Sequence, residues 1–347
     1  MTSTALITGA TGFLGRHLLQ SLDADSSDWN LAALVRDPHT WEGYEWNSHF
    51  DDVDLITGDI TDAHNALPHH CERRDLDVDI VFHLAGKVEH SRKNPDPLFA
   101  TNVDGTLSVI RAAHQLDCRL VVISTSGTVA CFDEPGQSAD EDAPFCRDVV
   151  DRWPYYRSKI AMEIQGRALA DDLDVELTFI RPPILFGPGD HRFRSTGILL
   201  KFLRQALPAM PRGTADFTDV RDVADALVRL AHLDAPRPVY HTPGTAISLP
   251  DLFELGAQIA DVQPPRTFIP TSLLWGACST IDAIQHRFPS APLPSVPDPV
   301  YIEMAAAHWH CTTAYADDDL GFEPRPLKET LQDSVDWLRD HAPQLQD

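Results

Sequence analysis

The first half of the chain alternates short apolar runs with longer amphipathic stretches. Apolar runs at residues 4–8, 31–35, 53–57, 80–84, 120–124 and 175–180 predict six strands. They run four to six apolar residues without a polar alternation, which is how strands read when both faces of a sheet are covered. Helical patterns lie between them, from Gly12 to about Leu22, from about Asp96 to Leu116, and from Tyr155 through Leu169. Strand and helix alternating at this spacing predict an α/β fold, a doubly wound parallel sheet with ligand outside the carboxyl ends of its strands.

After Arg181-Pro182-Pro183 the pattern changes: prolines become frequent and strands sparse. Residues 219–230 read as a helix returning to the sheet, and 239–241 as its last strand. From about Ser248 the chain reads as mostly helical, broken by the proline-rich stretch 288–294. The expected division is a dinucleotide-binding domain over residues 1–183, with 212–245 returning to it. A smaller, mostly helical and discontinuous substrate domain is expected over 184–211 and 246–347.

Composition alters this picture in a few places. A chain of 347 residues can bury a large core, and 43% hydrophobic residues is ordinary for a globular protein. The net charge of −24 is not ordinary and disfavours nucleic acid and anionic membrane as partners, since both would repel it. Its simplest reading is a solvated acidic surface. The six cysteines, at 71, 118, 131, 146, 278 and 311, show no paired spacing, so a reducing, cytoplasmic setting is expected. His69-His70-Cys71-Glu72 and His308-Trp309-His310-Cys311 resemble metal ligands superficially, but neither has a matching second half, and ordinary packing or surface roles are expected. The first apolar run lacks a basic leader and reads as a strand, and residues 267–284 are too interrupted by Pro270 and Asp282 to span a bilayer.

Two stretches carry the chemistry. Thr8-Gly9-Ala10-Thr11-Gly12-Phe13-Leu14-Gly15 closes a predicted strand and opens a helix. Gly9 permits the tight turn, Gly12 lets the backbone approach a pyrophosphate, and Gly15 lets helix and strand pack closely. The second is Tyr155-Tyr156-Arg157-Ser158-Lys159, where Tyr155 and Lys159 lie four residues apart and share one helix face. A phenol titrates near 10, so a nearby ammonium and an oxidised nicotinamide would both favour its phenolate. Tyr156 lacks the spacing to Lys159. Ser124-Thr125-Ser126-Gly127-Thr128 closes the fifth strand, and a hydroxyl there can donate to a substrate carbonyl as charge builds on oxygen. Ser126 is the first choice and Thr125 the second. At the end of the second strand Arg36 suits a 2′-phosphate and favours NADP over NAD, although Asp37 follows it. Asp59, after the third strand, is expected either to contact the adenine edge or to cap a helix.

At these residues the chain resembles the extended short-chain dehydrogenase/reductase superfamily, also called the NAD-dependent epimerase/dehydratase family. The resemblance covers nearly the whole length. It rests on Thr8 to Gly15, on Val81-Phe82-His83-Leu84-Ala85-Gly86 with Gly86 where a second Ala is usual, and on Asn102 to Thr106. It rests also on Arg181-Pro182, Gly187-Pro188-Gly189, Val220 to Ala224 and the terminal segment from Leu320. Leu34 to Pro38 and Ser126 to Val129 lean toward its dihydroflavonol-reductase-like branch. The resemblance implies Ser126, Tyr155 and Lys159 as catalytic residues. It implies cofactor contacts at Gly9, Thr11, Gly12, Phe13, Leu14, Gly15, Arg36, Asp59, Ile60, Leu84, Ala85, Gly86, Asn102, Tyr155, Lys159, Pro182 and Ile184. It implies a Rossmann-type fold and NADPH-dependent reduction of a small-molecule ketone or aldehyde, by a monomer or homodimer. Sugar epimerases commonly continue the serine loop with Tyr-Gly, whereas Ala130-Cys131 stands here, which weakens the alternative of a nucleotide-sugar epimerase or dehydratase. A redox-sensing binding protein is the third reading. The segments 192–198, 275–284 and 288–301 are expected to select the substrate, with Arg192, Arg194, Lys201 and Arg204 as the cations that could hold a diphosphate.

Overall fold

The computed structural model describes residues 2–42, 50, 52–207, 210–265, 269–288 and 296–345. Seven strands form one parallel sheet: β1 (Ser3–Thr8), β2 (Trp29–Val35), β3 (Asp54–Thr57), β4 (Ile80–His83), β5 (Arg119–Ile123), and two met later in the chain, β7 (Leu177–Arg181) and β10 (Val239–His241). Their order is β10-β7-β5-β4-β1-β2-β3. The winding reverses between β1 and β4, and a doubly wound sheet opens its ligand crevice at that point.

Alternate residues of these strands feed two separate cores, because successive side chains point to opposite faces. Ala5, Ile7, Ala33, Val35, Phe82 and Val121 pack with the Phe13–Asp23 and Val220–Ala231 helices. Leu6, Ala32, Leu34, Val81 and Val122 pack with the Ala63–Arg74, Gly105–Leu116 and Pro154–Leu173 helices. Burial on both faces explains why the strands read as unbroken apolar runs.

The remaining strands are β6 (Cys131–Phe132), β8 (Ile184–Phe186), β9 (Thr214–Asp219), β11 (Thr245–Ser248) and β12 (His308–Trp309). They form a second, mixed sheet in the order β11-β9-β12-β6, with β8 paired to β9. This sheet was not expected from the sequence, where the later part reads as mostly helical. Its strands are two to six residues long and pair across large sequence separations, such as His308 with Phe132. Residues 214–219 belong to this sheet, so the return to the large sheet begins with the Val220–Ala231 helix. A third core lies beneath it, where Phe186 stacks on Phe217 at 4.5 Å beside Phe202, Phe253, Leu331 and Leu338.

Two local features set element boundaries. The helical stretch from Asp96 to Leu116 is interrupted by a π turn at Ala100–Asp104, which carries Asn102. Four helices end on an exposed aspartate in the left-handed region, Asp75, Asp117, Asp174 and Asp261, with φ of 53°, 52°, 57° and 53°. Glycine is the usual residue there, since it alone adopts that conformation without steric cost. Of the proline-rich break, residues 289–294 lie outside the described residues.

Candidate active site

The glycine-rich turn has the shape of a phosphate cradle. Gly9 has φ +76°, and a Cβ there would lie 2.6 Å from the Ala85 nitrogen at the end of β4. A Cβ at Gly15 would lie 2.3 Å from the Gly9 carbonyl oxygen, so helix and turn can pack this closely only with glycine. Gly12 caps the Phe13–Asp23 helix with no side-chain hydrogen bond and spends its own N–H on the Gly9 carbonyl at 2.8 Å, so the first-turn N–H groups of Phe13 and Leu14 are the ones left for an anion. The fit to a dinucleotide pyrophosphate is good on this geometry.

A chain of hydrogen bonds joins this turn to the π turn. The Ala85 N–H donates to the Thr8 hydroxyl at 3.3 Å, and that hydroxyl meets His83 Nδ1 at 2.7 Å. On the other side His83 Nε2 lies 3.0 Å from the Thr106 hydroxyl, which donates to the Asn102 carbonyl at 2.8 Å. Since Thr106 spends its proton on the carbonyl, Nε2 must carry the imidazole proton and Nδ1 must accept from Thr8. Burial drives the His83 pKa down to about 3, with Lys159 nearby acting in the same direction, so the ring stays neutral. Asn102 fixes the next segment, accepting from the Lys87 N–H at 2.8 Å and donating to the Lys87 carbonyl and the Ser158 hydroxyl, each at 3.0 Å.

Tyr155 and Lys159 project from the Pro154–Leu173 helix into the same region, both buried. The Tyr155 hydroxyl forms no hydrogen bond among the described residues, and burial raises its pKa above the ordinary phenol value. Lys159 Nζ donates to the Ile123 carbonyl at 2.8 Å, and a Cβ at Gly86 would lie 3.7 Å from it. Burial lowers its pKa to about 8, partly opposed by Glu163. One turn further on, Glu163 forms a bidentate pair with Arg181 at 2.6 and 3.1 Å and accepts from Ser124.

The serine loop divides its hydroxyls among different partners. Ser124 is spent on Glu163, and Thr125 accepts the Gly127 N–H at 3.3 Å. Ser126 is buried against the Cys311 thiol, which itself contacts Asp216 at 3.4 Å. With the thiol proton directed to Asp216, the Ser126 hydroxyl donates to the Cys311 sulfur, and it must turn from that sulfur to reach a substrate oxygen. Tyr156 is a packing residue: its ring stacks on Trp309 at 4.9 Å, and a Cβ on Gly127 would strike it at 2.3 Å.

Other positions are placed as follows. Arg36 is exposed and makes no ion pair among the described residues, although its charge helps lower the Asp59 pKa. Asp37 turns to the His39 N–H and the Thr40 hydroxyl instead. Asp59 caps the Ile60–Asp62 turn through Thr61, and Ile60 packs where a Gly105 side chain would collide. Leu84 donates its N–H to the Thr8 carbonyl, the Pro182 carbonyl accepts from Ser126, and Ile184 is half-exposed. Sequence reasoning named His83 only within the Val81–Gly86 segment, without a role, and missed Glu163, His90 and Glu303. Glu303 accepts from Arg92, Trp153 and Trp275 and so ties the Thr271–Arg287 helix to the segment after β4. Glu163 alone carried a signal, because it continues the four-residue spacing of Tyr155 and Lys159.

The profile of the NAD dependent epimerase/dehydratase family matches residues 5–241. A putative dihydroflavonol 4-reductase of Synechocystis is 25% identical over 99% of this chain and 96% of its own length. A UDP-glucose 4-epimerase of Mycolicibacterium smegmatis is 27% identical over 65% of this chain and 72% of its own. The crystal structure of UDP-glucuronic acid 4-epimerase from Bacillus cereus in complex with NAD superposes with a TM-score of 0.72 at 17% identity, covering 98% of this chain and 99% of that one. The chain therefore belongs to the NAD-dependent epimerase/dehydratase family of extended short-chain dehydrogenases/reductases. It is an NAD(P)-dependent enzyme of a family that holds reductases, epimerases and dehydratases. Among the described residues no helix is long and apolar enough to cross a membrane.

Proposed function

We propose that this enzyme uses NADPH to reduce a ketone or aldehyde to an alcohol. The observation that carries the reading is the setting of the Tyr155 phenol, which has no hydrogen-bond partner among the described residues and stands against the rings of His90 and Tyr156. His90 lies 5.1 Å from its ring, Tyr301 lies 5.4 Å from His90, and Val88, Ile184, Trp275 and Tyr301 are each more than 40% exposed. A nucleoside diphosphate would want several cations here. Arg192, Arg194, Lys201 and Arg204 are all exposed, and of these only Arg194 bears on Tyr301.

A bound reduced nicotinamide supplies the hydride. Tyr155 donates its proton to the carbonyl oxygen as charge builds there, and its raised pKa keeps it protonated for that task. Ser126 orients the same oxygen. Lys159 holds a positive charge beside the phenol and favours the phenolate that remains. Arg36 binds the 2′-phosphate, while Asp37 is engaged elsewhere.

Competition calorimetry tests this reading. An aryl ketone should bind the NADP complex, and UDP should not. Micromolar UDP binding without ketone binding would favour the second reading, a nucleotide-sugar epimerase, for which Arg194 is the supporting observation.

A further inference from the structure

His90 packs between the Tyr155 phenol and the half-exposed Tyr301 ring. Its ring meets Tyr155 edge to face at 5.1 Å and Tyr301 edge to face at 5.4 Å, and lies 6.2 Å from Tyr156 in a stacked orientation. Neither ring nitrogen hydrogen-bonds a described residue, and Nδ1 is sealed from solvent as well. A residue wanted only for packing between three tyrosines would be better served by phenylalanine. An imidazole pays desolvation there without a compensating bond. Nε2 is not sealed in this way and has no partner among the described residues, so it is the nitrogen a ligand beside Tyr155 can reach.

The ring is neutral. Burial lowers its pKa to about 4, with only the Asp298 carboxylate pulling the other way. A neutral imidazole offers one donor and one acceptor, so it suits a hydroxyl or carbonyl group and not an anion.

We infer that His90 is a specificity residue that reads a second oxygen function next to the carbonyl that Tyr155 serves. The substrate class is then a hydroxyketone or diketone, with the two oxygens a few bonds apart because the His90 and Tyr155 rings touch. Plain ketones fit the same walls but leave the imidazole unpartnered. This inference rests on the reductase reading for the identity of the reacting group, but its test needs no turnover.

The probes are benzoin and deoxybenzoin, which share two phenyl rings and one ketone and differ by one hydroxyl. Each is titrated calorimetrically into the protein saturated with oxidised cofactor, for the wild type, His90→Phe and His90→Asn. The wild type should bind benzoin about threefold to tenfold more tightly than deoxybenzoin, the worth of one hydrogen bond. His90→Phe should abolish that preference while leaving deoxybenzoin and cofactor affinity within about twofold. His90→Asn, which keeps a donor and an acceptor, should retain part of it and guards against misfolding of the phenylalanine variant. A preference that survives in His90→Phe would overturn the inference. So would a wild type that shows no preference or binds neither probe. Loss of NADPH-dependent turnover with an intact benzoin preference would instead remove the reductase reading and leave His90 as the hydroxyl reader.

Discussion

Lys159 and Glu163 stand one turn apart on the same helix, both buried, and the fold treats their charges in opposite ways. Glu163 is fully partnered, holding Arg181 in a bidentate pair and accepting from Ser124. Lys159 has one carbonyl and the sulfur of Met162. The first arrangement locks the base of the site. The second leaves a charge that burial disfavours and that few groups offset. On the proposed reading the structural charge is paired and the catalytic one is left wanting, its cost in stability set against function.

The largest test of this contrast is at Tyr155, the phenol one turn before Lys159 on the same helix. Tyr155→Phe should lower kcat by about 10²–10⁴, the usual worth of a positioned proton donor, while cofactor affinity and melting temperature stay close to wild type. Near-normal kcat would remove Tyr155 from the reaction.

Glu163→Gln should destabilise the protein by about 3–5 kcal/mol, because it leaves the Arg181 guanidinium buried and unpaired. Chemical denaturation measures this, and a change below about 1 kcal/mol would show that the pair is not structural.

Arg36→Ala extends the contrast to an exposed charge that also waits for a ligand. It should weaken NADP binding by about 1.5–3 kcal/mol and leave NAD binding nearly unchanged. Equal losses for both cofactors would show that Arg36 does not read the 2′-phosphate.

Lys159→Met should abolish turnover and yet stabilise the cofactor-free protein by about 1–3 kcal/mol at neutral pH. The sign follows from the pKa, which is about 8 in the folded protein against 10.5 for an ordinary lysine. Between these values the unfolded chain binds the proton and the folded one does not, so the native state loses stability as pH falls from 10.5 to 8. Below 8 the penalty is complete. The gain from methionine should therefore be full below pH 8 and fade as pH rises toward 10.5. A variant less stable than wild type at pH 7 would contradict the account of Lys159.

The smallest effect lies at the far end of the same helix. Asp174→Gly relieves a left-handed aspartate and removes a negative charge from a helix carboxyl terminus, which should stabilise by about 0.5–1 kcal/mol in a thermal melt. A loss of stability would mean that the aspartate has a compensating role.

These particulars also show which parts of the molecule a linear reading reaches. The seven-stranded sheet was legible because its central strands are buried on both faces, and Tyr155 and Lys159 were legible because a helix makes four-residue spacing a spatial fact. The Asp96–Leu116 segment looked like one plain helix, since nothing in its pattern marks the π turn that aims Asn102. The Pro154–Leu173 helix was read as ending near Leu169 because Asp174 stands where glycine is usual. The small sheet, the Arg181 partner of Glu163 and the His90 ring cluster join residues that are 18 to more than 200 positions apart. Local periodicity carries no trace of such contacts.

The central claim is that a hydride leaves the cofactor for a carbonyl carbon while Tyr155 protonates the oxygen. NADPH deuterated at the transferable position, incubated with an aryl hydroxyketone, tests it most directly. The account predicts one deuterium on the carbinol carbon of the alcohol formed by the wild type, one equivalent of NADP released, and almost no product from Tyr155→Phe. Epimerised or dehydrated UDP-sugar, with the cofactor retained and no hydroxyketone reduced, would contradict it.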